Sequence, residues 1–249
     1  FVGLLLLGII QIRKTFIKDA ALAQQQNNFL LSVTHELKSP IASAKLQLQT
    51  LEKRELNRNK QKEIIANAIS DTERLNNLVE NILLAAKIEN SVYTVYKELV
   101  NLSQFLTEGL KQTINSFHYK RKIELRIEPD IMLGIDRTSF PSIILNLFEN
   151  AVKYSTEDSI IIVELKSQGD KVVLRVIDEG IGIDQKEKTH IFQKFYRIGN
   201  EETRKTKGTG LGLYITDYLV KQHEGKKKKK SNTPKGSIFE ITFNKNNSV

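Results

Sequence analysis

The chemistry of this chain starts at His35, in the stretch SVTHELKSP at residues 32–40. A neutral imidazole is a nucleophile near neutral pH. Glu36, directly beside it, is near enough to hold or deprotonate one ring nitrogen and so activate the other. Ser39 falls one helical turn further on the same face. Pro40 removes a backbone donor and crowds the carbonyl of Glu36, which predicts a bend within a turn of the histidine. A lone histidine on a helix flank is usually only solvated, so the rest of the chain has to decide between that and a nucleophile.

A second set of chemistry-bearing residues lies more than a hundred positions away. Asn146, Asn150 and Lys153 recur at steps of four and three, on one stripe of a helix. Amide oxygens suit a hard cation such as Mg2+ held by few protein ligands, and a lysine beside them suits phosphate. In DEGIGI (178–183) a carboxylate ends a strand, and Gly180 and Gly182 allow backbone to approach a flat ligand closely. Asp178 there can accept an exocyclic amine, which favours adenine over guanine, whose corresponding group is a carbonyl. KGTGLGL (207–213) places Gly208, Gly210 and Gly212 before a helical stretch, a source of backbone donors for anionic oxygens. Neither a Walker lysine-serine pair nor a strand-first GxGxxG unit is present, so ordinary P-loop and dinucleotide readings fail.

Two helices must position His35. Leu30, Thr34, Leu37, Ile41, Ala44, Leu48 and Leu51 alternate at four and three, and His35 stands on the shoulder of that seam. One long helix is expected from Arg13 to about Arg54, a break at 54–60, and a second helix to about Asn90 with its seam at Ile65, Ala68, Thr72, Leu75, Val79, Ile82 and Ala86. One hairpin is half a four-helix bundle, so a homodimer is the natural completion. After a boundary near 90–96 the texture turns to β-formers: Ser103 as a helix cap, strands at 122–128 and 132–135, a helix opened by Asp136 and running to Tyr154 with Phe140, Ile144, Leu147 and Ala151 buried, and a hairpin of 159–167 with 171–178. The fold class expected is α followed by α/β: an antiparallel helical hairpin, dimeric as a four-helix bundle, then a mixed α/β sandwich.

With 249 residues and 40% hydrophobic content, the chain supports a real core. It has no cysteine, so disulfide frameworks and thiolate metal sites are excluded, and its four histidines form no zinc pattern. The net charge of +9 is partly concentrated in Lys226 to Lys230 and in residues 197–207, without interleaved aromatics; no nucleic-acid partner is expected. The chain begins at Phe1, and its only methionine is Met132, so it reads as a fragment or a processed or cropped chain. Residues 1–12 are uncharged and apolar and are followed by Arg13, Lys14 and Lys18, the flank expected at the cytoplasmic end of a membrane helix. They are too few to span a bilayer. At Lys226 to Lys230, Lys227 and Lys229 would point inward on a half-buried strand, so a frayed, edge or snorkelling strand is expected.

Taken together, these segments resemble the sensor histidine kinases of bacterial two-component systems. SVTHELKSP is similar to their H box, NLFENAVKY (146–154) to the N box, DEGIGI to the first glycine box, IFQKFYR (191–197) to the phenylalanine box and GTGLGL to the second glycine box, in order over residues 29–243. The resemblance implies domains at 1–12 (end of a membrane helix), 13–92 (dimerisation and phosphotransfer) and 96–245 (ATP-binding catalytic domain). It implies His35 as phosphoacceptor, Glu36 as acid/base partner and Ser39 as an aid to phosphatase activity. Asn150 would hold Mg2+ beside Asn146, Lys153 would touch phosphate, Tyr154 the base and Asp178 the adenine amine. Gly180, Gly182, Arg197, Gly208, Thr209, Gly210, Leu211 and Gly212 would complete the ATP site, with 197–207 as its lid. ATP and Mg2+, a second copy of the chain, and a response regulator receiver domain are the implied cofactors and partners, at the cytoplasmic membrane with the catalytic domains in the cytoplasm. The alternatives are an ATPase of the same ATP-binding superfamily that drives clamp closure, and a degenerate dimeric nucleotide-binding scaffold.

Overall fold

The computed structural model of the chain describes residues 2–117, 121–198 and 208–245. It opens with α1 (Val2–Lys53) and α2 (Arg58–Glu89), antiparallel neighbours joined by a turn. Asn57 stops the turn by accepting a hydrogen bond from the Lys60 amide at 2.9 Å, the job of a helix N-cap. The first helix runs without a break from Val2 through Arg13, joining the helix end expected at 1–12 to the long helix expected from Arg13. No helix among the described residues is long and apolar enough to cross a membrane. Pro40 sits inside α1, buried, and the helix is continuous through it.

The hairpin corrects the second seam by one step. The stripe of α2 turned toward α1 and the core is Ile64, Ala68, Leu75, Leu78, Ile82, Ala85 and Ile88, while Ile65, Thr72, Val79 and Ala86 of the expected seam are exposed. On α1, Leu30, Ile41 and Leu48 are likewise exposed. The physical reason is that a heptad seam has two sides. In an isolated hairpin only the side facing the sister helix is covered.

Beyond the hairpin come β1 (Glu98–Asn101), α3 (Leu102–Phe117), β2 (Lys122–Ile127), β3 (Met132–Ile135), α4 (Phe140–Tyr154), β4 (Ile160–Gln168), β5 (Lys171–Asp178), α5 (Gly212–Gln222), β6 (Lys226–Ser231) and β7 (Ser237–Asn244). The strands make a two-stranded antiparallel pair, β1 with β3, and a five-stranded sheet ordered β2-β4-β5-β7-β6, in which only the β2–β4 pair is parallel. Alternation sorts the sheet's two faces. Ile161, Val163 and Leu165 of β4, Val172, Leu174 and Val176 of β5 and Phe239, Ile241 and Phe243 of β7 form one core with Phe140, Ile144, Leu147 and Ala151 of α4 and Ile215 and Leu219 of α5. On the opposite face Arg175 bridges Glu164 and Glu240, each at 2.7 Å. The fold is thus a helical hairpin followed by an α/β sandwich, as expected.

One local expectation changes. Ser103 does not cap α3. Asn101 accepts from the Gln104 amide at 3.1 Å, while Ser103 turns inward, donating to the Glu128 carbonyl at 2.6 Å and accepting from the Ile131 amide at 3.0 Å. Its hydroxyl is needed more between β2 and β3 than at the helix end, where Asn101 does the same work. The lysine run forms an edge strand, one of the expected outcomes, and it is not frayed: β6 pairs with β7 over its whole length. Lys227 and Lys229 do point inward, each with its ammonium against the Phe192 ring, at 3.9 and 5.1 Å.

Candidate functional site: a nucleotide pocket and a histidine helix

The site in the sandwich is built where β5 ends against α4. Asp178 is buried, and both of its hydrogen bonds fall on Oδ1: the Gly180 amide at 2.8 Å and the Ser237 amide at 3.1 Å. Oδ2 therefore has no partner among the described residues. Burial pushes the carboxyl up from its usual range, and the two amides pull it back. Asn232 ties the same turn together by donating to the Asp178 carbonyl at 3.0 Å.

Glycine is required here for space. A Cβ on Gly180 would stand 2.4 Å from the Tyr154 carbonyl oxygen, which also accepts from the Ile181 amide at 3.2 Å, so the turn after β5 lies flat against the end of α4. Gly182 and Gly210 both have φ of 75°, in the left-handed region. A Cβ on Gly212 would come within 2.7 Å of Asn146 Oδ1, and one on Gly208 within 2.5 Å of Lys153 Nζ. These close approaches bring the 208–212 segment against the polar stripe of α4. Thr209 is half-buried in that segment, and Leu211 is buried in the core at the head of α5. Asn146 is buried, with Nδ2 lacking any hydrogen-bond partner among the described residues. Lys153 stands over the Tyr154 ring at 4.8 Å, and Asn150 is half-buried on the same helix.

The structure thus gathers Asn146, Lys153, Tyr154, Asp178, Gly180, Gly208 and Gly212 from three separate segments. A carboxylate oxygen without a partner among the described residues, an orphaned buried amide and a backbone-lined cradle beside an ammonium fit a nucleotide: base at Asp178, anionic oxygens at 208–212. The amide oxygens of α4 fit a cation that takes most of its ligands from phosphate.

His35 is elsewhere, exposed on α1. Glu36 makes no hydrogen bond to it. Its carboxylate is turned to Arg74 of α2, with 3.5 Å between Nη2 and Oε2. Ser39 is half-buried one turn on. Arg197, grouped by sequence with the nucleotide, donates from Nη1 to the Ser32 hydroxyl on α1 at 2.6 Å. It does so as part of a docked surface: Phe195 packs on Phe29 with ring centroids 4.2 Å apart, and Lys194 pairs with Glu89 of α2 at 2.6 Å. The same segment is tied to the nucleotide cradle by the Phe195 amide, which donates to the Gly210 carbonyl at 3.2 Å. Residues 199–207 of the expected lid lie outside the described residues.

Sequence reading missed Phe29, Ser32 and Glu89 as interdomain contacts, since their partners are more than a hundred residues away. It also missed His223, buried between α5 and β3. Its Nε2 accepts from the Asp136 amide at 3.1 Å, its Nδ1 faces the Leu219 carbonyl at 2.7 Å, and burial holds its pKa below the usual 6.5.

Comparison with known proteins matches residues 25–91 to the family described as His Kinase A (phospho-acceptor) domain, and residues 135–247 to the Histidine kinase-, DNA gyrase B-, and HSP90-like ATPase family. Sensor protein KdpD of Clostridium acetobutylicum is 32% identical over 223 residues, which cover 88% of this chain and 25% of that one. Sensor protein CiaH of Streptococcus pneumoniae is 32% identical over 221 residues, 88% of this chain and 49% of that one. The chain spans between a quarter and half the length of these curated relatives. The solved histidine kinase AdeS of Acinetobacter baumannii superposes with a TM-score of 0.56 at 23% identity, over 85% of this chain and 98% of that one, a likeness of fold. With a phosphoacceptor hairpin and an ATP-binding sandwich of this type following each other in one polypeptide, the chain belongs to the sensor histidine kinases.

Proposed function

We propose that this chain is a kinase core in which ATP, bound between α4, the end of β5 and the 208–212 segment, gives its γ-phosphoryl to a ring nitrogen of His35. The phosphoryl then passes to an aspartate of a response regulator receiver domain. The observation that carries the reading is the docking of Phe195 and Arg197 on Phe29 and Ser32, within two turns of His35 on the same helix. Donor domain and acceptor helix are already in touch through the segment that borders the nucleotide cradle.

The roles of the side chains follow from their settings. Asp178 Oδ2 accepts the adenine amine, and the flat turn at Gly180 leaves room for the base beside Tyr154. Lys153 and the amides of 208–212 face the phosphates. Asn150, with Asn146 near it, would hold Mg2+, which neutralises phosphate charge during transfer. The neutral imidazole of His35 attacks phosphorus through a ring nitrogen, and ADP leaves with the bridging oxygen. Glu36, held by Arg74, reaches the ring only if that pair opens, so its role as acid/base partner goes with a change in the hairpin. Ser39, half-buried one turn on, orients a water for dephosphorylation of the regulator. Domain limits at 13–92 and 96–245, a homodimer closed over exposed Leu30, Ile41, Leu48, Ile65 and Val79, and membrane attachment through the apolar start of α1 belong to the same reading. A groove of about 500 Å3 lined by Pro40, Ile41, Ala44, Leu48 and Leu75 supports the dimer.

The test is to incubate the chain with labelled ATP and Mg2+ and to follow protein-bound phosphate. An acid-labile, alkali-stable adduct that His35→Gln abolishes, with nucleotide affinity kept, is the expected result. Steady ATP hydrolysis without an adduct would favour the clamp-type ATPase instead.

A further inference from the structure

The cavity that the nucleotide reading leaves unused lies between β6, α5 and the segment that carries Phe192. Its volume is about 420 Å3, within the range of small-ligand sites, and none of its lining residues belongs to the nucleotide pocket. Lys188, Lys227 and Lys229 converge on it, against a single carboxylate, Asp217, while Lys228 between them on the strand is exposed and opposite Glu240 on the other face of the sheet. That carboxylate is already engaged on both oxygens, Oδ1 by Lys227 and Oδ2 by Lys221 at 2.8 Å. Among the described residues Lys188 has only the Ser231 hydroxyl, at 3.1 Å, and Lys229 pairs with no carboxylate. Two ammoniums, those of Lys188 and Lys229, thus face one cavity without a counter-charge among the described residues.

Like charges brought together in a partly desolvated cleft disfavour their own ionised forms. The lysines register this: burial and the neighbouring Lys229 push Lys227 down to about 8, and burial with Lys188 lowers Lys229. Protection of a sheet edge accounts for charge along β6. It does not account for Lys188, which arrives from another segment at the same cavity, nor for the aromatic floor at Phe192 on which two of the ammoniums rest. An anion with several oxygens would take up both unmatched donors at once, and lysine binds phosphate as a point charge without demanding one geometry.

We propose that this cavity is a second anion site, separate from the nucleotide pocket, for a ligand bearing a terminal phosphate or diphosphate, with Lys188 and Lys229 as its donors and Phe192 as its floor. The shared chemistry is the phosphate group, and the source is either a soluble phosphoester or the headgroup of an anionic lipid. The assignment stands on the cavity itself and does not depend on the phosphotransfer reading.

The experiment uses the full chain with its nucleotide pocket saturated with ADP. Pyrophosphate is titrated in by calorimetry, and in a parallel arm the chain is sedimented with phosphatidylcholine vesicles with and without phosphatidic acid. Binding of pyrophosphate, weakened about tenfold or more in Lys188→Gln and in Lys229→Gln, supports a soluble ligand. Binding only to phosphatidic acid vesicles, lost in the same variants, supports a lipid headgroup. Lys166→Gln, a lysine on the open sheet face paired with Glu164, serves as the control for net charge and stays within about twofold of the parent. Absence of binding in both arms overturns the proposal, and so does equal weakening by Lys166→Gln, which would mean diffuse attraction to a basic surface. ADP affinity is measured in each variant; since none of these lysines touches the nucleotide pocket, it stays unchanged even where the anion site is lost.

Discussion

Asp178→Asn is the sharpest perturbation of the nucleotide pocket. The carboxylate of this buried residue has one oxygen committed to the Gly180 and Ser237 amides, at 2.8 and 3.1 Å, and the other without a partner among the described residues. Asparagine can keep Oδ1 on both amides, which orients its Nδ2 into the position where Oδ2 stood. The turn after β5 therefore persists, and the burial cost that raises the Asp178 pKa disappears with the charge. The thermal midpoint should stay within a few degrees of the parent. For ATP the exchange is severe, because an acceptor of the adenine amine becomes a donor facing a donor. Losing a charge-assisted hydrogen bond and burying an unsatisfied amine costs about 1.5–3 kcal/mol, which is about 10- to 150-fold in Kd. For GTP the same amide faces a carbonyl oxygen, so its affinity is unchanged or improved. The assay is displacement of a fluorescent nucleotide by ATP and by GTP, wild type against variant, with the thermal midpoint as the folding control. A ratio of ATP to GTP affinity that does not move, in a variant that is folded, refutes the assignment of Asp178 to the base.

Gly180→Ala forces a methyl group to within 2.4 Å of the Tyr154 carbonyl, and the backbone on both sides is held by hydrogen bonds; overpacking of this kind costs about 1–3 kcal/mol, so a lower thermal midpoint and weaker ATP binding are expected together, and an unchanged midpoint would mean the turn is not fixed. His223 binds fewer protons folded than unfolded, because burial lowers its pKa below 6.5, so its contribution is intact above about pH 6.5 and is lost as pH falls below it; urea midpoints should drop between about pH 7 and pH 5 by more in wild type than in His223→Gln, and parallel curves would count against it. Phe29→Ala removes the ring that meets Phe195 at 4.2 Å; an aromatic pair contributes about 1 kcal/mol, so amide exchange across residues 191–198 should speed up about fivefold, and equal protection in both proteins would show the contact carries no weight.

Much of the architecture is written locally. The 3.6-residue period predicts the two long helices and α4, alternation predicts β4 and β5, and the order of motifs along the chain is enough to recognise an ATP-binding sandwich behind a phosphoacceptor hairpin. The glycines of 178–182 and 208–212 are legible because backbone freedom and lack of a Cβ are properties of the residue itself. What local pattern leaves open is which side of a seam is covered: Ala68, Leu75 and Ile82 face α1 while Ile65 and Val79 face out, since heptad spacing defines a stripe and only a neighbour divides it. Capping at Asn101 rather than Ser103 was decided by the competing need for a hydroxyl between β2 and β3. The functional site shows the same division. Side-chain chemistry names Asp178, Lys153 and Asn146 as candidates, but only the packing of β5 and the 208–212 segment against α4 sets which atoms are buried and unpartnered. Tertiary structure alone turned Glu36 to Arg74 and Arg197 to Ser32, and gathered Lys188 with β6 around one cavity. Those are contacts between segments far apart in sequence, and no periodicity within a segment encodes them.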